Sequence, residues 1–244
     1  SRYHRNQTPQ IRKEISEFYK DVGLFAFPCR QPVIADIQEK ALFIRNPFTS
    51  MKGVRPYLPS PVSHPAATGS QVIDPKAIID LTGSLQADGR LTWDVPPGEW
   101  TIVRLGVRST GANTRPAPTA GLGLESDKFS KQALATHFAH YFDPLLKAIG
   151  PRPKERTTGF LALDADSWEM SSQNWTPGFR EEFKQRRGYD PWLYFTTYTG
   201  CVVGSREKTE RFLWDVRKLC QELLLEKIRS GGGKDLKATR IGGI

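Results

Sequence analysis

The order of periodicities along the chain predicts an α/β fold: a partial (β/α)8, TIM-like barrel carrying an inserted antiparallel β module. Three observations carry this expectation. Helical spacing alternates with short apolar runs on both sides of residue 110, as barrel units do. Between residues 77 and 108 the apolar period switches to two, the spacing of half-buried strands. Turn dipeptides punctuate that stretch where hairpins need them.

Residues 11–27 read as a short amphipathic helix running into an apolar strand, Val22 to Phe27. The stretch from Asn46 to Pro75 is thick with Pro, Gly and Ser and reads as an irregular connection. In the β module, Ala77 to Leu81 precedes Leu91, Trp93 and Val95 in alternation, then Trp100, Ile102 and Arg104 on one face. Its turns fall at Asp88-Gly89 and Pro96-Pro97-Gly98. Leu134, Phe138, Tyr141, Phe142, Leu145 and Ile149 then keep helical spacing, and Pro144 is expected to kink or split that helix near its end. A stiff connector, Pro151-Arg152-Pro153, leads to a short buried strand at Gly159 to Leu163. Thr176-Pro177 reads as a helix start with Thr176 as N-cap, Gly188 as its left-handed stop, and Asp190-Pro191 as a restart. From Ser205, residues Phe212, Leu213, Val216, Leu219, Cys220, Leu223, Leu224 and Ile228 mark a long helix with one apolar face. The domain boundaries expected are 1–69 for an N-terminal barrel portion and connection, 70–110 for the β module, 111–229 for the catalytic barrel portion, and 230–244 for a disordered or truncated tail.

Composition excludes several classes. No run approaches eighteen apolar residues, so no transmembrane helix is expected. The formal charge of +9 comes from scattered Lys and Arg, with no run of five like charges and no zinc-finger or helix-turn-helix signature. A nucleic-acid partner is therefore not expected. Three widely spaced cysteines, Cys29, Cys201 and Cys220, suit buried free thiols better than a disulfide framework or metal cluster. Ser1-Arg2-Tyr3-His4-Arg5 offers neither a start Met nor an apolar signal core, and only two or three of eight barrel strands can be placed. The chain is thus expected to be an internal or truncated piece.

Chemistry centres on Leu163-Asp164-Ala165-Asp166-Ser167-Trp168-Glu169, which sets three carboxylates and an indole at the end of an expected strand. In a (β/α) barrel that end faces the active site. Carboxylates are the groups that cleave glycosides, one protonating the leaving oxygen and another activating water or attacking. Aromatics such as Trp168 and Trp175 suit the apolar faces of sugar rings, and Asn174 suits their hydroxyls. From the residues alone, Asp164 and Asp166 serve equally as capping or hydroxyl-binding groups. The same acidic loop also fits a solvated surface with Trp168 in the core.

Asp166-Ser167-Trp168-Glu169 followed by Gln173-Asn174-Trp175-Thr176 resembles the bacterial α-L-rhamnosidases of glycoside hydrolase family 106. Three further segments share the resemblance: Phe18 to Asp21 running into Leu24 to Pro28, Leu91 to Pro96 with Gly98 to Thr101, and Gly123 to Lys128. It covers roughly residues 15–229 in the family's order. The resemblance implies a large periplasmic or extracellular enzyme with a catalytic (β/α)8 barrel, an inverting mechanism on rhamnose-containing glycosides, and a calcium ion near the site. It places Glu169 in the active site as general acid, with Asp166, Trp168, Asn174 and Trp175 shaping the sugar pocket. Glu125 and Asp127 match an acidic segment open to substrate contact, calcium contact or structural capping. Ser126 stands where relatives carry Cys, and Ala165 is inserted at the strand end. The second carboxylate that inversion needs is expected on a strand beyond Ile244. The alternative is a carbohydrate-binding module without catalysis, acting through Trp93 or Trp100.

Overall fold

The computed structural model describes residues 18–28, 30–35, 37–42, 67–109, 118, 123–150 and 173–231. The chain divides into two compact units, one formed by 18–109 with 178–217, the other by the remaining segments.

The first unit is built on one strand, β1 (Tyr19–Pro28). Leu24-Phe25-Ala26-Phe27 is apolar at both parities, so neither face tolerates water, and all four side chains are buried. Such a strand must lie in the middle of a sheet. It does: β3 (Ile79–Asp80) and β4 (Trp100–Arg108) flank it in the order β3-β1-β4, both antiparallel. The β1–β4 ladder runs from Tyr19 opposite Arg108 to Pro28 opposite Trp100, with a register shift between Asp21 and Gly23. The sheet of the β module therefore takes its central strand from residues 19–28.

Each face of β1 has its own cluster. Phe25 and Phe27 pack with Ile73, Ile78, Cys201 and Val203, joined by Val103, Leu105 and Trp192. Leu24 and Ala26 pack with Leu81, joined by Leu85, Leu91, Trp93 and Trp100. Of the expected alternation at Leu91, Trp93 and Val95, the first two turn inward, while Val95 is exposed and only Leu91 pairs, opposite Leu85. The prolines that follow cannot donate to a ladder, so strand pairing stops there. The Asp88-Gly89 turn forms as expected. Gly89 has φ +83° and its N–H donates to the Gln86 carbonyl at 2.8 Å.

Four α-helices are described: α1 (Ile37–Leu42), α2 (Lys131–Ile149), α3 (Phe179–Arg187) and α4 (Arg206–Gly231). Ser205 caps α4 by accepting from the Lys208 N–H at 3.1 Å. The apolar stripe of α4 is buried at Phe212, Leu213, Val216, Leu219, Cys220 and Leu223. Cys201 and Cys220 are free and buried, as expected, and Cys29 lies outside the described residues.

Two local expectations are corrected. Helix α2 continues through Pro144 as one element and ends at Gly150, φ +78°. A proline removes one hydrogen bond from the ladder, and the turns on either side hold the helix across that loss. Thr176 does not cap α3: Gly178, φ +79°, occupies that position, and the Thr176 hydroxyl is drawn to Asp127 instead. Gly188 does stop α3, with φ +75°. Asp190 accepts from the Trp192 N–H at 3.0 Å, but the element that follows is a 3₁₀ helix, Trp192–Thr199, and Pro191, not Asp190, holds its N-cap position.

The described residues thus form a mixed α/β fold with an antiparallel sheet. Among them, parallel pairing is confined to β2 (Val72–Ile73) and β5 (Val202–Val203), and no barrel alternation of parallel strands and helices occurs. The strand expected at Gly159 to Leu163 lies outside the described residues.

Candidate functional site

Asp164, Asp166, Trp168 and Glu169 also lie outside the described residues. Four candidates are described, and they occupy two short segments of one unit: Glu125 and Asp127 ahead of α2, and Asn174 and Trp175 immediately after the signature. Forty-odd residues separate these segments in sequence. The Asp127 carboxylate brings them together.

Asp127 first organises its own loop. Oδ1 accepts from the Phe129 N–H at 2.9 Å, and its carbonyl accepts from the Ser130 N–H at 3.1 Å. That turn delivers Ser130 to the start of α2, where its hydroxyl accepts from the Ala133 N–H at 3.2 Å. Phe129 is buried beside it. Both carboxylate oxygens then reach across the unit. Oδ1 accepts from the Gln173 side-chain amide, and Oδ2 from the Thr176 hydroxyl at 2.6 Å. Gln173 completes the frame. Its Oε1 accepts from the Lys128 N–H at 3.1 Å, and its Nε2 also donates to the Trp175 carbonyl at 3.1 Å. Its amide orientation follows, because the oxygen must face the N–H and the NH₂ group must face two acceptors.

The consequence for Asp127 is a carboxylate spent on three protein donors. Glu125 is half-buried and ion-paired with Lys128 at 3.5 Å. Asn174 and Trp175 are half-buried on the strip between Gln173 and Thr176. Calcium takes six to eight oxygen ligands at about 2.3–2.6 Å. Among the described residues no trio of acidic, His or Cys side chains gathers to supply them, and Asp127 is already committed. The other acidic candidates, Asp164, Asp166 and Glu169, lie outside the described residues.

Sequence reasoning left Asp127 open to substrate contact, calcium contact or structural capping, and missed Gln173 and Thr176 as its partners. The Thr-Pro pair looked like a helix start, and nothing local distinguishes that from a long-range hydroxyl donor.

Two charged clusters in the other unit resemble sites at first sight, and the carboxylates in them are paired within the cluster. Arg180 grips Asp190 through two bonds of 2.9 and 2.7 Å and stacks 4.3 Å from the Trp192 ring centre, whose indole N–H donates to Asp80. The Arg180 bonds hold the Asp190 carboxyl down at about 2. Buried Asp215 accepts from the Tyr189 hydroxyl at 3.1 Å and from Arg211 at 3.2 Å, with Arg187 at 3.6 Å. Burial, followed by the Asp215 charge, pushes the Tyr189 phenol up. The first cluster ties α3 to the start of the 3₁₀ helix and to Asp80, and the second ties the end of α3 and Tyr189 to α4.

The chain matches, over residues 7–242, the glycoside hydrolase family 106 model, described as alpha-L-rhamnosidase. It is 38% identical over 224 residues to a protein of Formosa agariphila that carries a provisional beta-glucuronidase name, covering 90% of this chain and 18% of that protein. A solved rhamnosidase from Novosphingobium sp. PP1Y superposes with TM-score 0.55 and 36% identity, over 65% of this chain and 15% of that one. The chain therefore spans less than a fifth of the length of either relative.

Proposed function

Because this chain belongs to glycoside hydrolase family 106, the α-L-rhamnosidases, we propose that it contributes the acid half of an inverting site for terminal α-L-rhamnosides. The observation that supports the reading best is the Asp127 clamp, which joins two motif segments far apart in sequence beside Asn174 and Trp175. In this reading Glu169 protonates the glycosidic oxygen as the bond to the anomeric carbon lengthens. A second carboxyl about 6.5–9.5 Å away takes a proton from water, which attacks the opposite face of the ring. Asp166, Trp168, Asn174 and Trp175 shape the pocket, and Glu125 borders it through its pair with Lys128. A (β/α)8 barrel bearing the signature at a strand end, in a periplasmic or extracellular enzyme, belongs to the same reading.

Binding through the β module without catalysis has less support. Trp93 and Trp100 pack edge to face, 5.5 Å between centres, in the cluster around Leu24, Ala26 and Leu81. The Trp100 indole N–H is spent on the Pro96 carbonyl at 2.9 Å.

The test is a substrate panel on the protein bearing this chain, with Glu169→Gln beside it. Aryl α-L-rhamnosides should be cleaved and aryl β-glucuronides not, with β-L-rhamnose as the first product seen by NMR. Glutamine cannot deliver a proton, so rhamnosides of poor alcohol leaving groups should lose roughly 10²–10⁴ in rate. Those of acidic phenols should lose far less. Equal loss on both, with stability intact, would remove the acid role. A preference for glucuronides would remove the substrate assignment.

A further inference from the structure

We infer that Asp127 is a positioning residue for the sugar pocket, acting through the Gln173–Thr176 strip and not by touching substrate. The geometry is specific. One carboxylate binds the residue at each end of a four-residue strip, Gln173 through Oδ1 and Thr176 through Oδ2. Gln173 in turn donates to the Trp175 carbonyl, so the strip is pinned at three of its four residues. The backbone of Asn174 and Trp175, between those pins, has little freedom left. The anchor itself is firm, because the Asp127 loop is closed by the Phe129 and Ser130 N–H groups and backed by the buried Phe129 ring.

Charge is part of the design. A carboxylate accepts on both oxygens and donates on neither, which suits three donors arriving from Gln173, Phe129 and Thr176. An asparagine keeps the shape but only one accepting oxygen, so one end of the strip is left with at best a reversed, uncharged bond from the amide NH₂ group to the Thr176 hydroxyl. Charge-assisted bonds are also the stronger kind, so the loosened end loses more than a neutral bond would. The inference rests on the reading that Asn174 and Trp175 line the rhamnose pocket.

The test is a double-mutant cycle on the protein bearing this chain, with kcat and KM measured on an aryl α-L-rhamnoside. Asp127→Asn should raise KM about tenfold, the worth of one charge-assisted bond, with kcat less affected. Thr176→Val cuts the same arm from the other side with little change in shape, and should reproduce the effect if the aspartate variant fails to fold. In an Asn174→Ala/Trp175→Ala background neither change should cost anything further, because the strip then has no pocket side chain to place. Additive losses would mean that Asp127 meets the sugar directly, which overturns positioning and leaves the pocket intact. An unchanged KM in Asp127→Asn and Thr176→Val, with a lowered melting temperature, would overturn it as well, leaving a structural tie. A Trp175→Ala variant with normal KM would overturn the pocket reading and this inference with it.

Discussion

Single residues in this chain are read most reliably where one backbone demand has one chemical answer. Gly89, Gly188 and the Asp190 restart were legible for that reason, since a left-handed turn or a free N–H leaves few alternatives. Thr176 was not, because its hydroxyl had two possible partners, one local and one 49 residues away. Asp190 shows what such a residue contributes. Its carboxyl lies below the usual aspartate value chiefly because Arg180 bonds to the ionised form, and protonation must break that pair. A depressed pKa contributes stability that is full above the unfolded value, near 4, and fades as pH falls toward about 2. Asp190→Asn should therefore flatten the part of the denaturation midpoint that changes between about pH 4 and 2, and lower stability modestly at pH 7. The pair is partly open to solvent, which keeps the effect at the scale of surface ion pairs, about 1 kcal/mol or less. Urea unfolding of both proteins across that pH range checks it; parallel pH profiles would show that the pair carries no linkage.

Elements were legible where apolar period and length agreed. Strand β1 declared itself by being apolar at both parities, and α4 by a stripe sustained over many turns. Pairing partners were not legible, because β1 and β4 lie some eighty residues apart and no local signal records which strands meet. Helix α2 failed the expectation in the other direction. Pro144 was expected to kink or split the helix near its end, yet the helix is not split and holds for more than one turn beyond it. That persistence means the proline is tolerated and not required. Its ring lies on an exposed stretch of α2, so replacing it uncovers no core. Pro144→Ala restores an N–H to the ladder and removes the ring's clash with the preceding turn. Interior proline costs about 3 kcal/mol against alanine in a helix, offset in part by the freer unfolded chain. A net gain of about 1–2 kcal/mol is expected in chemical denaturation. A loss of stability would show that the proline is required by the packing of that unit.

At the scale of the whole molecule, motif order identified the family while spacing alone could not, since acidic loops after strands are common in unrelated folds. The barrel was the part of that expectation with the least local signal: it is a property of many strands together, and the described residues hold one short parallel pair. Net charge is the remaining global feature, and its meaning depends on distribution. An excess of 35 Lys and Arg over 26 Asp and Glu would suit a polyanion if the cations shared a face. Among the described residues many are instead spent on carboxylates: Arg104 on Asp21, Lys40 on Glu210, Arg186 on Glu182, Arg180 and Lys184 on Asp190, and Arg187 and Arg211 on Asp215. The one-to-one pairs are locally neutral, the other two groups keep a single excess charge, and scattered charge of this kind offers little field to a phosphate backbone beyond a Debye length of about 8 Å. Duplex DNA should therefore be held only weakly. Fluorescence anisotropy with a labelled duplex should give a salt slope near −2 or shallower, against about −5 to −9 for a surface that neutralises six to ten phosphates. Binding should be gone at physiological salt. Submicromolar affinity there, with a steep slope, would mean that the cations outside these pairs form one continuous surface, and that the charge serves a polyanionic partner.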